Sequence, residues 1–129
     1  SIAPEYLREM PGGLYLTGTP DGSREGCYYI NSHNYKNCLP LQLMALSLHE
    51  GEPGHHLQGA YALTSTHLPN FRRYIGDCKY YLSPCRFGCN TAYAEGWGLY
   101  AESLGEELGL YEGNMDLLGR YKFEIFRAA

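Results

Sequence analysis

Positive charge is scarce in this sequence: ten Lys and Arg stand against fourteen Asp and Glu, a formal net charge of −4. That excludes the electrostatic footprint expected of a protein that binds nucleic acid or an anionic membrane. Long apolar runs are also missing, and none approaches the roughly 20 residues of a membrane-spanning helix. Tryptophan occurs once and phenylalanine four times, against thirteen tyrosines. Tyrosine brings apolar area together with a hydroxyl, which suits the walls of a polar cleft. The five cysteines (Cys27, Cys38, Cys78, Cys85 and Cys89) are an odd number, which excludes a fully paired disulfide framework in this piece. Cys85 and Cys89 have the i, i+4 spacing of a metal pair, but no C-x₂-C partner exists, so free or buried thiols are expected. With 129 residues, 44% of them hydrophobic, the chain suits one domain with a core and is not a disordered segment.

The chemistry is concentrated in Leu48-His49-Glu50-Gly51-Glu52-Pro53-Gly54-His55-His56-Leu57-Gln58, which holds three of the five histidines. An apolar run from Leu39 leads into it. A His-Glu pair followed by further histidine is the pattern of a helix-borne zinc hydrolase, in which imidazoles hold the metal and the neighbouring Glu takes a proton from the attacking water. The spacing is longer than in H-E-x-x-H. On a straight helix His55 lies about 240° around the axis from His49, while His56 returns to the His49 face roughly 10 Å further along. Pro53 cannot donate a hydrogen bond to the carbonyl of His49, and Gly54 tolerates unusual backbone angles. A bulge there would bring His55 onto the His49 face, so His55 is the favoured second ligand and His56 the alternative.

In chain order, residues 1–10 read as a short helix ended by Pro11-Gly12-Gly13. Leu14 to Thr17 and Cys27 to Ile30 are β-prone runs around turn chemistry at residues 18–23, which predicts a hairpin or two short edge strands. A helix is expected from about Leu41 past the Pro-Gly break to about Thr64. His67 reads as surface, and residues 71–81 are uninformative. A second long helix is expected over 85–108, carrying Glu95 and Glu102 seven residues apart on one face. Ala94, Gly96 and Gly98 thin that helix, which suits close approach by another helix or a metal. The last stretch, with Leu117, Tyr121 and Ile125 on one face, reads as an uncapped helix. Since the first residue is Ser1 and the pattern stops inside that helix, the expectation is a piece of a longer protein.

The run His49 to His56, followed by Glu95-Gly96-Trp97-Gly98-Leu99-Tyr100-Ala101-Glu102, resembles the DUF885 family, whose pattern is H-E-x-x-P-G-H-H and then E-G-W-x-L-Y-x-E. Asp21-Gly22-Ser23-Arg24-Glu25-Gly26 is similar to the family's D-G-S-R-P-G segment, with Glu25 in place of Pro. Phe126-Arg127-Ala128 resembles its W-R-A helix. The resemblance implies a mainly α, zincin-like catalytic portion with a short ribbon near the N-terminus, belonging to a larger helical protein. Its parts would be 1–38 (ribbon and loops), 39–66 (His-Glu helix), 85–108 (Glu-bearing helix) and 115–129 (terminal helix). It also implies a gluzincin-like Zn²⁺ site with His49, His55 and Glu95 as ligands and Glu50 as general base. Tyr100 would steady the oxyanion, while His56 and Glu102 would orient the ligand imidazoles. The expected activity is metallopeptidase, on a peptide or small amide, with the remainder of a full-length chain as partner. A zinc amidohydrolase or esterase, or an inert metal-containing interaction module, is the alternative.

Overall fold

A computed structural model of the chain describes residues 1–19, 21–33, 40–73 and 91–129. Within them the fold is mainly helical, with one two-stranded antiparallel sheet near the N-terminus. Strands β1 (Gly13–Leu16) and β2 (Cys27–Ile30) pair Gly13 with Ile30 and Leu16 with Cys27. Their connection is tied by the Asp21 carboxylate, which accepts from the Ser23 N–H at 3.0 Å and the Ser23 hydroxyl at 2.7 Å. Gly22 takes a positive φ of 71° there, which a side chain would resist. Hydrogen bonding by Thr19 and Ser23 holds the Asp21 carboxyl down to about 2. The helix expected over 1–10 is only a 3-10 turn, Glu5–Leu7. The reason is competition: Ile2 is bridged to Ile30, and the Ala3 N–H donates to the Ile30 carbonyl at 2.9 Å, so the first residues are extended.

The single bulged helix expected across the His-Glu stretch is two helices. A 3-10 turn at Pro40–Gln42 feeds α1 (Leu43–Glu50), and α2 (His55–Thr64) follows after four residues. The intervening turn includes a cis Glu52–Pro53 bond, and Gly51 and Gly54 at its ends are not helical. Pro53 has no N–H for the helical bond to His49, so the ladder stops. Gly54 then lies against the carbonyls of Leu48 and His49, where a Cβ would collide with both.

Next come α3 (Asn70–Arg73), α4 (Thr91–Glu107) and α5 (Asn114–Ala128). The expected start of the second long helix, with Cys38, Cys78, Cys85 and Cys89, lies outside the described residues; Cys27 is a free thiol. The end of α4 falls where Gly109 predicts it, with φ at 67° and Leu110 N–H returning to the Gly105 carbonyl.

Helix α1 packs against α4, α5 and β1. On α4 the buried residues are Gly98, Ala101, Glu102 and Gly105, the i, i+3, i+4, i+7 stripe of one face. A Cβ on Gly105 would sit 2.5 Å from Leu48 Cδ1, and one on Gly98 would overlap the His49 ring. Gly96 faces open space, so only Gly98 serves the close approach expected of this pair. The buried apolar residues are mostly small (Ala3, Ala45, Leu46, Leu48, Ala62, Ala101), and the largest fully buried side chains are His49 and Glu102. Across this face the Tyr111 hydroxyl donates to the Glu102 carbonyl at 2.7 Å. Helix α5 approaches through Gly119, which touches the Leu41 carbonyl, and through Arg120, 2.9 Å from Glu106. Its outer side is apolar and exposed: Met115, Leu118, Tyr121, Ile125 and Phe126.

Two outcomes follow from this packing. Gly98→Ala should destabilise the fold by about 1–3 kcal/mol through overpacking, whereas Gly96→Ala should stabilise it by roughly 0.5–1 kcal/mol; denaturant melts of the pair measure the contrast. Burial and the nearby Glu102 carboxylate push the Tyr111 phenol above its ordinary value of 10.0. In the unfolded chain this group ionises at the ordinary value, so the unfolded state holds fewer protons above that pH. Stability is therefore full below about pH 10 and declines as the pH rises further. Tyr111→Phe should flatten that alkaline decline, as read from melts at stepped pH.

Candidate metal centre

His49 sits in the last turn of α1, and its ring is pressed against the gap left by Gly98. It is 2% exposed. Its Nδ1–H donates to Glu102 Oε1 at 2.8 Å, since a carboxylate oxygen can only accept. That bond sets the tautomer and leaves the Nε2 lone pair facing Glu95 Oε2 at 3.2 Å. His55, the first residue of α2, repeats the arrangement: Nδ1 meets Gln58 Oε1 at 3.0 Å, and Nε2 lies 3.7 Å from Glu95 Oε1. The two imidazoles meet edge to face, with centroids 4.6 Å apart and planes at 84°. Glu95 is half-exposed on α4, one turn before Gly98.

His49, His55 and Glu95 thus each bring one ligand atom to a common point, all within 4.8 Å of one another. Tetrahedral ligands at about 2.0–2.1 Å from a zinc ion stand roughly 3.3 Å apart. The separations here are 3.2 Å from His49 Nε2 to Glu95 Oε2 and 3.7 Å from His55 Nε2 to Glu95 Oε1, with the three ligand atoms within 4.8 Å of one another. The donor set of two imidazoles and one carboxylate is chemically suited to Zn²⁺, and each histidine has an oxygen acceptor at its other nitrogen. The residues fit a divalent metal.

Glu50 closes α1, one position beyond His49, and its Oε2 accepts the backbone N–H of Tyr15 at 2.8 Å. This bond holds the carboxylate and ties β1 to the end of α1. Tyr100 does not share the face of α4 that carries Gly98 and Glu102. It lies about 200° around α4 from Gly98, half-exposed, with its ring tilted against Trp97 at 5.7 Å. Nor does His56 touch a ligand imidazole. Its Nδ1 pairs with Glu52 at 2.7 Å and its ring meets Tyr15 edge-on at 5.4 Å, because α2 begins at His55 and turns the next residue outward. His67 is exposed, as expected.

Three participants were not assigned from sequence. Gln58 takes the place expected for His56, and its amide also reaches the Tyr93 carbonyl on α4 at 3.4 Å. Trp97 donates its indole N–H to the carbonyls of Pro53 (2.9 Å) and Gly54 (3.1 Å), latching the turn that presents His55 onto α4. Arg127 reaches in from α5 to Glu102 at 2.6 Å. Trp97 and Gln58 lie inside the two motifs, so their proximity to the ligands was the available signal. Arg127 lay in the W-R-A-like terminus, whose place against α4 only folding reveals.

The profile of the family described as "Bacterial protein of unknown function (DUF885)" matches residues 2–129. No curated protein matches the chain. Among solved structures it is similar to the crystal structure of "the putative lipoprotein from Colwellia psychrerythraea", with 38% identity and a TM-score of 0.79. The match covers 99% of this chain and 20% of that one, so the chain spans about a fifth of that protein's length.

The adjacent histidines are separable by mutation. His55→Ala should abolish tight metal binding, while His56→Ala should leave it within a few-fold of the unmodified protein; competition with a chromophoric chelator measures both. The reverse ranking would mean that the ligand is His56.

Proposed function

This chain belongs to the DUF885 family, and we propose that it carries the catalytic centre of a zinc-dependent hydrolase, a metallopeptidase. The observation that carries the reading is the convergence of His49 Nε2, His55 Nε2 and a Glu95 oxygen, with both imidazoles anchored from behind by Glu102 and Gln58. Three protein ligands leave a fourth position open, which is the mark of a catalytic and not a structural zinc site. An ion held there supplies Lewis-acid polarisation of a substrate carbonyl and makes water easier to deprotonate.

The remaining work falls to the chain. Glu50, beside His49, takes the proton of the attacking water and returns it to the leaving amine. The Tyr15 N–H at Glu50 Oε2 holds the carboxylate in one orientation and leaves the other oxygen for that transfer. A base held in place has less orientational freedom to lose as the transition state forms. Glu102 stays on the far side of His49, where it keeps the ring from rotating. The Trp97 latch keeps His55 at a fixed distance from α4 and hence from Glu95.

The purified protein should contain about one zinc per chain by elemental analysis, and His49→Ala should lose it. Glu50→Gln should retain the metal and lower hydrolysis of a peptide library by about 10²–10⁴-fold, with chelator-treated enzyme as the blank. Near-normal turnover in Glu50→Gln would move the base elsewhere. Absence of metal-dependent hydrolysis in the full-length protein would remove the enzymatic reading.

A further inference from the structure

We propose that Arg127 is a positioning residue of the metal centre, governing metal affinity through Glu102 and Glu95 from a helix that supplies no ligand. The inference rests on the metal reading above and extends it to α5. Arg127 lies in the last turn of that helix, and its side chain is 19% exposed. Nη1 donates to Glu102 Oε1 at 2.6 Å, and Nε lies 3.9 Å from Glu95 Oε2. Its Cζ lies over the Phe123 ring, 4.9 Å from the centroid, a cation–π contact that helps hold the side chain. One planar cation therefore spans two carboxylates of α4, one a candidate ligand and the other the partner of His49.

The consequence follows from the order of contacts. Glu102 is 1% exposed, and its Oε1 takes both the His49 Nδ1–H and the Arg127 N–H. A buried carboxylate with only an imidazole opposite is poorly compensated, and a guanidinium supplies the missing charge. With it, Glu102 stays at His49 and the Nε2 lone pair stays aimed at Glu95. Without it, the carboxylate is free to turn away, and the ligand loses its orientation. A guanidinium suits the task because its donors are splayed in one plane, whereas a Lys ammonium is a point charge. The effect is also reciprocal: if Arg127 raises metal affinity, metal must tighten the docking of α5 by the same factor.

Helix α5 contains its own control. Arg120 also pairs with α4, at Glu106, 2.9 Å away, and is more deeply buried than Arg127. If Arg127 were only a clamp between two helices, losing either arginine would have the same kind of effect. Zinc affinity is measured by chelator competition on full-length wild type, Arg127→Gln, Arg127→Lys and Arg120→Gln, each first checked for a cooperative melt. Arg127→Gln should weaken zinc by about 10–100-fold, as loss of a ligand's outer partner does. Arg127→Lys should recover part of that, and Arg120→Gln should leave zinc affinity unchanged. Cobalt in place of zinc should show an altered d–d spectrum in Arg127→Gln alone. Zinc affinity in Arg127→Gln equal to that of Arg120→Gln overturns the proposal. If Arg127→Gln does not fold, Arg127→Lys decides by the same comparison: a loss beyond that of Arg120→Gln supports it, and equality overturns it. A wild type that binds no zinc removes the metal centre itself, a result distinguishable from equal binding by both arginine variants.

Discussion

The hydrogen bond between His49 and Glu102 is the contact on which the rest of the structure depends. It joins α1 to α4 at 2.8 Å with both side chains out of water. Removing one partner leaves a buried polar group without that hydrogen bond, at a cost of about 1–3 kcal/mol. Among the described residues, four of the six buried apolar side chains are alanines. Small residues are what such a pair requires. Gly98 clears the ring, Ala101 lets the helices close, and Gly105 admits Leu48 and the Tyr111 ring. The same imidazole is therefore a core side chain at Nδ1 and a candidate ligand at Nε2.

A second constraint is the break between α1 and α2. The two candidate ligand histidines stand six positions apart, a spacing that one straight helix cannot turn onto a single face. The chain ends one helix after Glu50 and begins another at His55, so the second imidazole comes from a first turn whose direction is set independently. Trp97 completes the arrangement by binding the carbonyls the turn leaves free. The two motifs thus form a single unit, in which one supplies the histidines and the other supplies the carboxylate, the clearance and the latch.

Helix α5 inverts the usual arrangement of a surface helix. Its inner side carries Gly119, Arg120 and Arg127, and its outer side carries Leu118, Ile125 and Phe126, the last two 70% and 79% exposed. It is attached to α4 largely by charge, and to the turn before α1 by a glycine against a carbonyl. Leu117, Tyr121 and Ile125, read from sequence as one face, differ in burial. Leu117 is half-buried, while Tyr121 and Ile125 stay exposed among the described residues.

Local chemistry made the hairpin, the helical class, the end of α4 and the candidate histidines readable in advance. Each rests on short-range rules: β-prone runs about a turn, a glycine at a helix end, and side chains whose lone pairs suit a metal. Tertiary structure decided what those rules leave open. It split one expected helix into two, because the loss of one hydrogen bond at Pro53 fixes where a helix stops but not how the next one leaves. It replaced His56 with Gln58 behind the second ligand, because the start of α2 determines which side chain turns inward. It set the Tyr100 ring against Trp97, about 200° around α4 from the Gly98 that clears His49. It also brought Arg127 to Glu102 across 25 residues. No local periodicity encodes that approach, which exists only once Gly119 has let α5 settle beside the start of α1.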